Sequence, residues 1–524
     1  MSKFGTLFSI TTFGESHGIG VGCIVEGVPP LIPIDTKDIQ YQLNRRKPNQ
    51  NSLLSPRNED DIVEIYSGVQ GGFTLGTPIG LIVKNLDVKK SDYTSFLEIP
   101  RPGHADFTYL SKYGIKSSSG GGRSSARETI SRVAGGAIAE KVLEIKFNTE
   151  IIAWVKSVGN ISIPNEINNE IIKSKLSKEY IDKIGTFHVY IINEDKYVKK
   201  EEFILSNEFD QSCYYLERIS TVSLNEHIQF NIIDKLEDKL NTEQLIEDKI
   251  DKDNKKDKDN KIVNTNNSNK PSNTPSIKPK EIIYKDNKYT YFESINTRCP
   301  HIPTAINIIK LIMQVKLESD SIGGIVSCVI KNCPQSLGEP CFDKFEASLA
   351  KAMLSIPATK GFEIGSGFEG TKLKGSQHND CFTKKTNRNN ISIVNDKLTK
   401  PTNVNELSIE KIDLNQKSNN SGGTLGGITT GEDVYFNVAI KPVSTIGKPQ
   451  YTCDLNGKDT ILEAKGRHDP CVLPRAIPIV EGMAAIVCLD NALIQASRVF
   501  INNINGYNKD NKADEVEEDN YDIF

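Results

Sequence analysis

The stretch from Glu247 to Asn269 consists almost entirely of Asp, Lys and Asn, and it limits how this chain can fold. So polar a run cannot bury enough apolar surface to offset the entropy that a chain loses when it becomes ordered. The sequence therefore predicts disorder from Glu243 to Pro279 and a core assembled from blocks on either side. Such charged runs are more typical of solvated insertions than of binding sites.

Denser blocks, rich in apolar residues and glycine, alternate with the polar stretches along the 524 residues. We predict that the dense blocks form one core and that the polar stretches are inserted into it. In chain order, the N-terminal part of the core, a first insertion, the central part, a second and disordered insertion, the C-terminal part and an acidic tail span 1–163, 164–290, 291–382, 383–420, 421–500 and 501–524. The first insertion is predicted to be disordered only at 243–279, because strand-like pieces such as Thr186 to Asn193 precede that run.

Composition narrows the classes of protein to which the chain can belong. A net charge of −4 and a pI near 6.1 do not indicate a nucleic-acid-binding protein. The ten cysteines include no C-x-x-C pair, and several lie in apolar runs. This pattern is typical of reduced, buried thiols in a protein of a reducing compartment. No window approaches the roughly 18 uninterrupted apolar residues of a membrane span. We therefore predict a cytoplasmic protein that binds neither membranes nor nucleic acid.

Periodic patterns in the dense blocks are compatible with an α/β fold class. Strands are predicted where β-branched and aromatic residues recur between glycines, at Phe4 to Thr12, Val21 to Val28, Ile322 to Ile330 and Val434 to Ile440. Helices are predicted from apolar residues at helical spacing, at Ile39 to Arg46, Ala126 to Val142, Pro303 to Ser319, Phe342 to Ile356 and Ile477 to Leu489.

Three of the seven histidines, His17, His104 and His468, lie in short islands of Gly, Pro and Arg. A histidine on a turn that glycine or proline constrains suits contact with a ligand, although an ordinary glycine-rich turn is the alternative. The chain has no H-E-x-x-H motif and no paired Cys/His spacing, so anion binding is favoured over a metal site. The chain also lacks G-x-S-x-G, so a serine nucleophile is not indicated.

The segment Ser117 to Arg132 reads SSSGGGRSSARETISR and leads into a predicted helix. Glycines allow close backbone approach, while the helix N-terminal amides, the hydroxyls and Arg123 or Arg127 are donors that suit a phosphate. A flexible Gly/Ser linker is the alternative, and the regular helix that follows argues against it. The segment matches neither a Walker loop nor G-x-G-x-x-G.

The segment Lys465 to Met483 places Arg467, His468 and Asp469 side by side in front of the predicted helix at Ile477 to Leu489. Adjacent cationic, titratable and anionic groups on a proline-constrained loop suit anion binding beside an acid or base. A loop held by its own Arg–Asp pair explains the same residues. The segment alone leaves both interpretations open.

Seven blocks together resemble the chorismate synthase family, in the order in which that family has them. The blocks are GESHG at 14–18, RPGHAD at 101–106, GGGRSSARET at 120–129, SIPATKGFEIG at 355–365, SGGTLGGI at 421–428, KPVSTI at 441–446 and GRHDPCVLPRAIPIVEGM at 466–483. The matching blocks cover most of 3–160, 297–380 and 421–495. The two insertions have no counterpart in the compact form of the family.

The resemblance implies a reaction, a cofactor and a fold. Chorismate synthases convert 5-enolpyruvylshikimate 3-phosphate into chorismate by a 1,4-anti elimination of phosphate and a ring hydrogen. They need reduced FMN, although the reaction has no net redox change. Their fold is an α/β sandwich of helices between antiparallel sheets, usually in a homotetramer. Because the chain has no separate dinucleotide-binding fingerprint, we expect a monofunctional enzyme that depends on an external flavin reductant.

The resemblance also assigns roles to individual residues. His17 is expected to protonate or stabilise the departing phosphate, His104 to protonate the reduced flavin near N1, and Asp469 to help N5 act as the base. The forked guanidinium of arginine matches oxyanions. Substrate oxyanions are accordingly assigned to Arg46, Arg101, Arg127 and Arg467.

FMN contacts carry over to residues on the Gly/Ser, Pro-Ala and Lys-Pro segments. They are Arg123, Ser124, Ser125, Pro357, Ala358, Gly426, Lys441, Pro442, Val443, Ser444, Thr445 and Arg467. No metal is expected. Ser52 stands where many bacterial members carry a further arginine, so substrate binding is expected to depend more on Arg57 or Arg45.

Two interpretations from other classes stand beside the enzyme. The chain could be a binding protein that has kept the site and lost catalysis, or a scaffold that acts through its insertions. The joint presence of His17, His104 and Asp469 favours the enzyme.

Overall fold

The structure is a computed structural model whose described residues leave gaps in the chain. They are 2–48, 50–51, 53–54, 57, 59–87, 98–117, 120–174, 176–192, 200–207, 213–219, 229–236, 281–284, 287–384, 414–464 and 468–503. The runs 243–279, 385–413 and 504–524 lie outside them. The disorder predicted there, and the division of the chain into segments, stay predictions.

Two five-stranded antiparallel sheets enclose the core. The first contains, in spatial order, Lys3–Phe4, Ser9–Gly14, Gly20–Glu26, Ile79–Lys84 and Val63–Ile65. The second contains, in spatial order, Thr359–Ile364, Val434–Ile440, Gly324–Lys331, Glu150–Val158 and Ile161–Ser162. Strand Gly20–Glu26 of the first sheet has one face toward the core, since Val21, Cys23 and Val25 are buried while Ile24 is exposed.

A third sheet, six-stranded and antiparallel, is built mainly from the predicted first insertion. Its strands, in spatial order, are Gln229–Leu236, Cys213–Ile219, Lys200–Asn207, Thr186–Ile192, Asn287–Asn296 and Glu281–Tyr284. It joins the main core through Phe187 and Val189, which are buried there. Within the described residues, four further two-stranded sheets pair Val69–Gln70 with Phe73–Thr74, Phe382–Lys384 with Leu414–Gln416, Thr424–Leu425 with Ile428–Thr429, and Gln450–Cys453 with Asp459–Leu462.

The α-helices of the described residues lie mostly between and beside the two five-stranded sheets. They are Thr36–Arg46, Asp106–Tyr113, Thr129–Phe147, Asn165–Lys173, Lys178–Ile184, Ile302–Leu317, Phe345–Leu354, Gly367–Gly370, Gly375–His378 and Leu473–Asn503. Short 3-10 turns occupy Gly122–Ser124, Ala126–Glu128 and Cys341–Asp343.

Two packed helices fill the space between the sheets. Thr129–Phe147 packs on the first sheet, the C-terminal helix Leu473–Asn503 packs on the second, and the two helices contact each other. They cross at Gly136 and Gly482, where a Cβ atom added to Gly136 would lie 2.4 Å from the Gly482 Cα. Two glycines therefore permit the close approach. The sandwich of helices between antiparallel sheets that the resemblance implies is confirmed.

The C-terminal helix, Leu473–Asn503, is longer at both ends than the predicted helix Ile477 to Leu489, and its first turn includes Pro474. Pro474 lies in the first turn, where a helix tolerates proline. Pro478 lies inside the helix and cannot donate to the Pro474 carbonyl four residues earlier. The buried Arg298 Nη1 donates to that carbonyl instead. A side chain from another segment thus restores the hydrogen bond that Pro478 removes.

The segment Leu473–Arg498 is long and apolar enough to cross a membrane by length and composition alone. In this structure, however, 83% of its most apolar window is buried inside the protein. That environment is the one expected for the central helix of a packed core.

Replacing Arg298 with methionine tests the interaction that completes the proline-containing helix. Arg298→Met is expected to lower the free energy of unfolding by about 2–4 kcal/mol, because a buried carbonyl loses its donor and a partly buried carboxylate loses one of its two arginine partners. The carboxylate is that of Asp182, whose Oδ1 lies 2.9 Å from Arg298 Nε. Urea denaturation at a fixed protein concentration measures the change.

Arg498→Met is the matched control, since Arg498 belongs to the C-terminal helix and forms an ion pair at the surface with Glu339 at 2.6 Å. Its loss is expected to cost less than about 1 kcal/mol. Equal destabilisation by the two substitutions would contradict the role given to Arg298.

Candidate active site

A cavity of about 310 Å³ brings together most of the residues that the sequence singles out. Its size lies within the usual range of small-molecule sites, about 300–1,000 Å³. The C-terminal helix contributes Ala476 and Ile479 to its wall. The predicted residues that line it are Arg46, His104, Ser124, Pro357, Ala358, Lys441, Pro442, Val443, Ser444 and Asp469.

Hydrogen bonds fasten the segment after strand Val434–Ile440 to the turn that carries His104. Lys441 Nζ donates to the Gly103 carbonyl at 2.8 Å, and Ser444 Oγ donates to the same oxygen at 2.7 Å. Lys441 Nζ also lies 2.5 Å from Ser444 Oγ. Gly103 has a φ of +68°, a backbone conformation that glycine adopts without strain. Two walls of the cavity are therefore held to each other at one carbonyl.

His104 is oriented by an arginine and a carboxylate of its own turn. Arg101 forms a two-point pair with Asp106, with 2.8 Å both from Nε to Oδ2 and from Nη2 to Oδ1. Arg101 Nη2 lies 3.0 Å from His104 Nδ1, and Asp106 Oδ1 lies 3.3 Å from the same nitrogen. A neutral ring can accept from Arg101, and a protonated ring can donate to Asp106. The turn thus accommodates both charge states of His104.

The charges in this turn also fix the ionisation of its carboxylate. Burial pushes the pKa of Asp106 upward, but hydrogen bonds from Arg101 and His104 outweigh burial and hold that pKa well below its usual range. Asp106 is therefore an anion at neutral pH, and its carboxylate lies within 3.3 Å of the imidazole.

Consecutive glycines separate the two histidines that the sequence assigns to catalysis. A Cβ atom on Gly120 would lie 2.5 Å from His17 Cδ2 and 2.8 Å from its Nε2. A Cβ atom on Gly121 would lie 3.0 Å from His104 Cε1. The two imidazoles therefore pack against neighbouring residues of one loop, and that loop has no room for side chains at these positions.

Arg46 and Arg127 share one buried carboxylate that the sequence did not single out. Asp61 Oδ2 lies 2.8 Å from Arg46 Nη1, and Asp61 Oδ1 lies 3.0 Å from Arg127 Nη1. All three side chains are almost completely buried. Arg127 also forms an ion pair with the buried Glu59. The two predicted substrate arginines are thus held beside each other by protein carboxylates.

Asn85 connects this arginine pair to the turn that carries His17. Its amide nitrogen donates to the carbonyls of Glu15 at 3.0 Å and of Gly18 at 2.9 Å. Its amide oxygen accepts from Arg127 Nε. The Asn85 side chain therefore links the turn of His17 to the Arg127 guanidinium by hydrogen bonds.

Asp469 is paired with an arginine that the sequence analysis did not assign. Arg475 Nη1 donates to Asp469 Oδ2 at 2.5 Å, and Arg475 Nε donates to the Arg46 carbonyl at 3.1 Å. Both Asp469 and Arg475 line the cavity. The pair joins the loop before the C-terminal helix to the end of the helix Thr36–Arg46.

The side chains around Arg46 carry too little negative charge to balance its own positive charge. Burial lowers the pKa of Arg46 to about 10, and the attraction of Asp61 does not cancel this effect while Arg475 and Arg127 add to it. Burial likewise lowers the pKa of Lys441, and Lys360 acts in the same direction. An anion bound in this cavity would offset both effects, so the electrostatics favour an anionic ligand.

Some predicted FMN contacts do not line this cavity. Arg123 donates to the Gly14 carbonyl at 3.1 Å, and Ser125 caps the following turn by accepting from the Arg127 amide at 3.3 Å. Gly426 lies in the turn of a two-stranded hairpin.

Further predicted residues lie elsewhere or outside the described part of the chain. Thr445 directly follows the lining residue Ser444 without itself lining the cavity. Arg467 and Ser52 lie outside the described residues. Within the described ranges, no three His, Cys, Asp or Glu side chains are grouped so as to hold a metal ion.

The arrangement can bind an anion and move protons beside it. The lining combines apolar surface, as from Pro357, Ala358 and Val443, with cations, hydroxyls, an imidazole and a carboxylate. Such walls suit a flat apolar ring that carries polar or phosphorylated substituents.

Comparison with known proteins supports one family over almost the full chain. The family model described as chorismate synthase matches residues 8–209 and 230–493. A chorismate synthase of Schizosaccharomyces pombe is 42% identical over 96% of this chain and 99% of its own length. A chorismate synthase of Saccharomyces cerevisiae is also 42% identical, over 95% of this chain and 98% of its own length.

A bacterial relative and a solved structure agree with these matches. A chorismate synthase of Prochlorococcus marinus is 38% identical over 94% of this chain and 97% of its own length. A crystal structure of a chorismate synthase superposes with a TM-score of 0.51 over 95% of this chain and 98% of that chain. At 22% identity, that likeness concerns the fold alone.

Alanine at Gly120 tests the packing of the glycine loop on His17. Gly120→Ala is expected to destabilise the protein by about 1–3 kcal/mol from its φ of +67°, and further because the new Cβ overlaps the His17 ring. Thermal denaturation measures the loss, and a crystal structure or histidine side-chain NMR detects the displaced ring.

Gly114→Ala is the matched control, because Gly114 has a φ of +71° and nothing within 4 Å of an added Cβ. It carries the same backbone cost without the steric overlap. If the two variants lost equal stability and His17 stayed in place, the contact described here would be wrong.

Proposed function

This chain belongs to the chorismate synthase family, and on that premise we propose that the cavity beside His104 and Asp469 is its active site. The family reaction is the elimination of phosphate from 5-enolpyruvylshikimate 3-phosphate, which gives chorismate in the shikimate pathway. One observation carries the assignment of the site. Ten of the residues predicted for catalysis, substrate and FMN line a single cavity.

Reduced FMN is the cofactor that we propose for this cavity. Pro357, Ala358 and Val443 provide apolar surface for a flat ring, while Lys441 and the Ser124 and Ser444 hydroxyls can hold its polar substituents. When bound, reduced FMN supplies electron density as phosphate leaves. Burial lowers the pKa of Lys441, which is consistent with a site that gains from an anionic ligand.

The substrate carries a phosphate and two carboxylates, and we propose that arginines bind them. Arg46 lines the cavity, and Arg127 lies beside it across Asp61. Arg467 keeps its predicted role as a ligand of substrate and cofactor. Arg101 also stays a predicted substrate contact, while its hydrogen bonds to Asp106 and His104 support a further role in orienting His104.

Three residues handle protons in this proposal. His17, held as a cation by the negative charge of the substrate, protonates the departing phosphate oxygen. His104 delivers a proton to the reduced flavin near N1, and Arg101 and Asp106 orient its ring for this step. Asp469, kept in position by Arg475, serves as the base or as part of a relay to it. Excluding water from the cavity strengthens the charge interactions of His104 and Asp469, which line it.

The enzyme is proposed to act in the cytoplasm as a homotetramer. We also propose that it is monofunctional and receives reduced flavin from an external reductant, since the chain has no separate dinucleotide-binding fingerprint. NADPH and FMN are mixed with the pure protein, and absorbance at the nicotinamide band is followed. No protein-dependent oxidation of NADPH is expected, and measurable oxidation would overturn the proposal of an external reductant.

Anaerobic turnover of variants tests the proposed residue roles. With dithionite-reduced FMN and 5-enolpyruvylshikimate 3-phosphate, phosphate release is expected to fall about 100- to 10,000-fold in His17→Ala and in Asp469→Ala, because each loses a proton-transfer group. His104→Ala is expected to lose activity in the same direction. With oxidised FMN, neither the unaltered enzyme nor any variant should release phosphate.

His378→Ala is the control, since His378 hydrogen-bonds Ser366 at 2.9 Å and does not line the cavity. It should keep the activity of the unaltered enzyme. Full activity in His17→Ala or Asp469→Ala would contradict the assigned roles, and tight flavin binding by a protein without any turnover would favour a binding function.

A further inference from the structure

We propose that Asp61 is a positioning residue that sets the distance between Arg46 and Arg127 for substrate binding. This inference rests on the proposed function of the cavity and adds a residue to it. The Asp61 carboxylate accepts from the two guanidinium groups through different oxygens, at 2.8 Å from Arg46 and 3.0 Å from Arg127. A carboxylate used in this way is a spacer between two cations.

The geometry of the two arginines depends on this carboxylate. Arg46 and Arg127 are like charges buried next to each other, and burial lowers the pKa of both guanidinium groups. Asp61 attracts both and so offsets their mutual repulsion. Without a charge between them, the two guanidinium groups would move apart or recruit another anion.

Other contacts fix each arginine on the side that does not face Asp61. Arg46 Nε donates to Thr129 Oγ1 at 3.1 Å, and its Nη2 donates to the Ala126 carbonyl at 3.0 Å. Arg127 Nε donates to Asn85, which also holds the turn that carries His17. Each arginine is therefore anchored to other groups of the protein, and Asp61 is the contact that they share.

The backbone at Asp61 is itself held in an uncommon conformation. Its φ of +50° lies in the left-handed region, which costs free energy for a residue other than glycine. Gln40 secures this conformation, because its Nε2 donates to the Asp61 carbonyl at 3.2 Å and its Oε1 accepts from the Val63 amide at 3.0 Å. The conformation aims the side chain inward, where its exposed fraction is 0%.

The segment that carries Asp61 also contains a second acid with a different task. Glu59 Oε1 accepts from Arg57 at 3.1 Å and from the Asp87 amide at 3.1 Å, and the same side chain pairs with Arg127. Glu59 thus ties Arg127 to the surrounding loops, whereas Asp61 alone of these two acids reaches both arginines in the described structure.

Substitution of Asp61 by asparagine tests the proposal in the full-length enzyme. Asparagine keeps the shape, but its amide nitrogen is a donor that must face one of the two guanidinium groups. Steady-state kinetics with reduced FMN should show KM for 5-enolpyruvylshikimate 3-phosphate raised about 10- to 100-fold by misplaced arginines. The value of kcat should change less than about threefold, because the proton-transfer groups are untouched.

Asp60→Asn is the matched control, since Asp60 is the adjacent residue, its side chain is 73% exposed and it pairs weakly with Lys47 at 3.5 Å. Its KM should equal that of the unaltered enzyme. The dissociation constant of FMN, measured by flavin fluorescence, should be the same in all three proteins. A merely structural role of Asp61 would lower the thermal midpoint and the active fraction without raising KM.

Gln40→Ala provides a second test if Asp61→Asn does not accumulate as folded protein. It removes the hydrogen bond to the Asp61 carbonyl without changing any charge, and a smaller rise in KM is expected. An unchanged KM in the folded variants would overturn the proposal. A lower KM in Asp61→Asn would also overturn it, because Asp61 would then compete with substrate for the arginines. If the unaltered enzyme gives no turnover, the proposed function fails instead.

Discussion

Pairing of buried guanidinium groups with carboxylates and carbonyls is the interaction on which the rest of this structure depends. Isolated charges in a protein interior are costly, so each buried arginine needs a partner with good geometry. Arg45 pairs with Glu481 of the C-terminal helix, and Arg298 pairs with Asp182 and the Pro474 carbonyl. These contacts join segments far apart in sequence and fix the helices that the sheets enclose.

The same principle gives the cavity its chemistry. Neighbouring arginines of one helix end have separate tasks: Arg45 is neutralised within the core, while Arg46 lines the cavity and is only partly compensated by Asp61. A structural pair and a ligand-facing cation therefore share one helix terminus. Arg475 follows a related pattern, since it binds Asp469 and also the Arg46 carbonyl. The proposed base and the proposed substrate arginine thus have a common support.

Sequence predicted much of this arrangement where the signal is local. The strand Val434–Ile440 is confirmed at both ends because it is a continuous run of buried and β-forming residues. Close backbone approach at Gly120 and Gly121 was expected toward a phosphate, which stays a prediction, while in this structure each of them packs on one of the two predicted catalytic histidines. The sandwich itself came from the family resemblance, since strand and helix patterns do not specify how layers stack.

The rest depends on contacts between distant segments, which a single sequence does not reveal. In the sequence, Asp61 is one of several acids in a charged run near Arg57. Its role follows from its hydrogen bonds to both Arg46 and Arg127, which only the structure shows. The start of the C-terminal helix was missed because proline normally ends a helix. Arg298, 176 residues before Pro474, supplies the missing donor there. Periodicity carries no information about such a partner.

A crystal structure of the enzyme with FMN and 5-enolpyruvylshikimate 3-phosphate would show whether this cavity is the active site. We expect the flavin ring in the cavity against Pro357, Ala358 and Val443, with substrate oxyanions on Arg46 and Arg127 while Asp61 still bridges these two arginines. Flavin bound away from this cavity, or substrate held without either arginine, would contradict it.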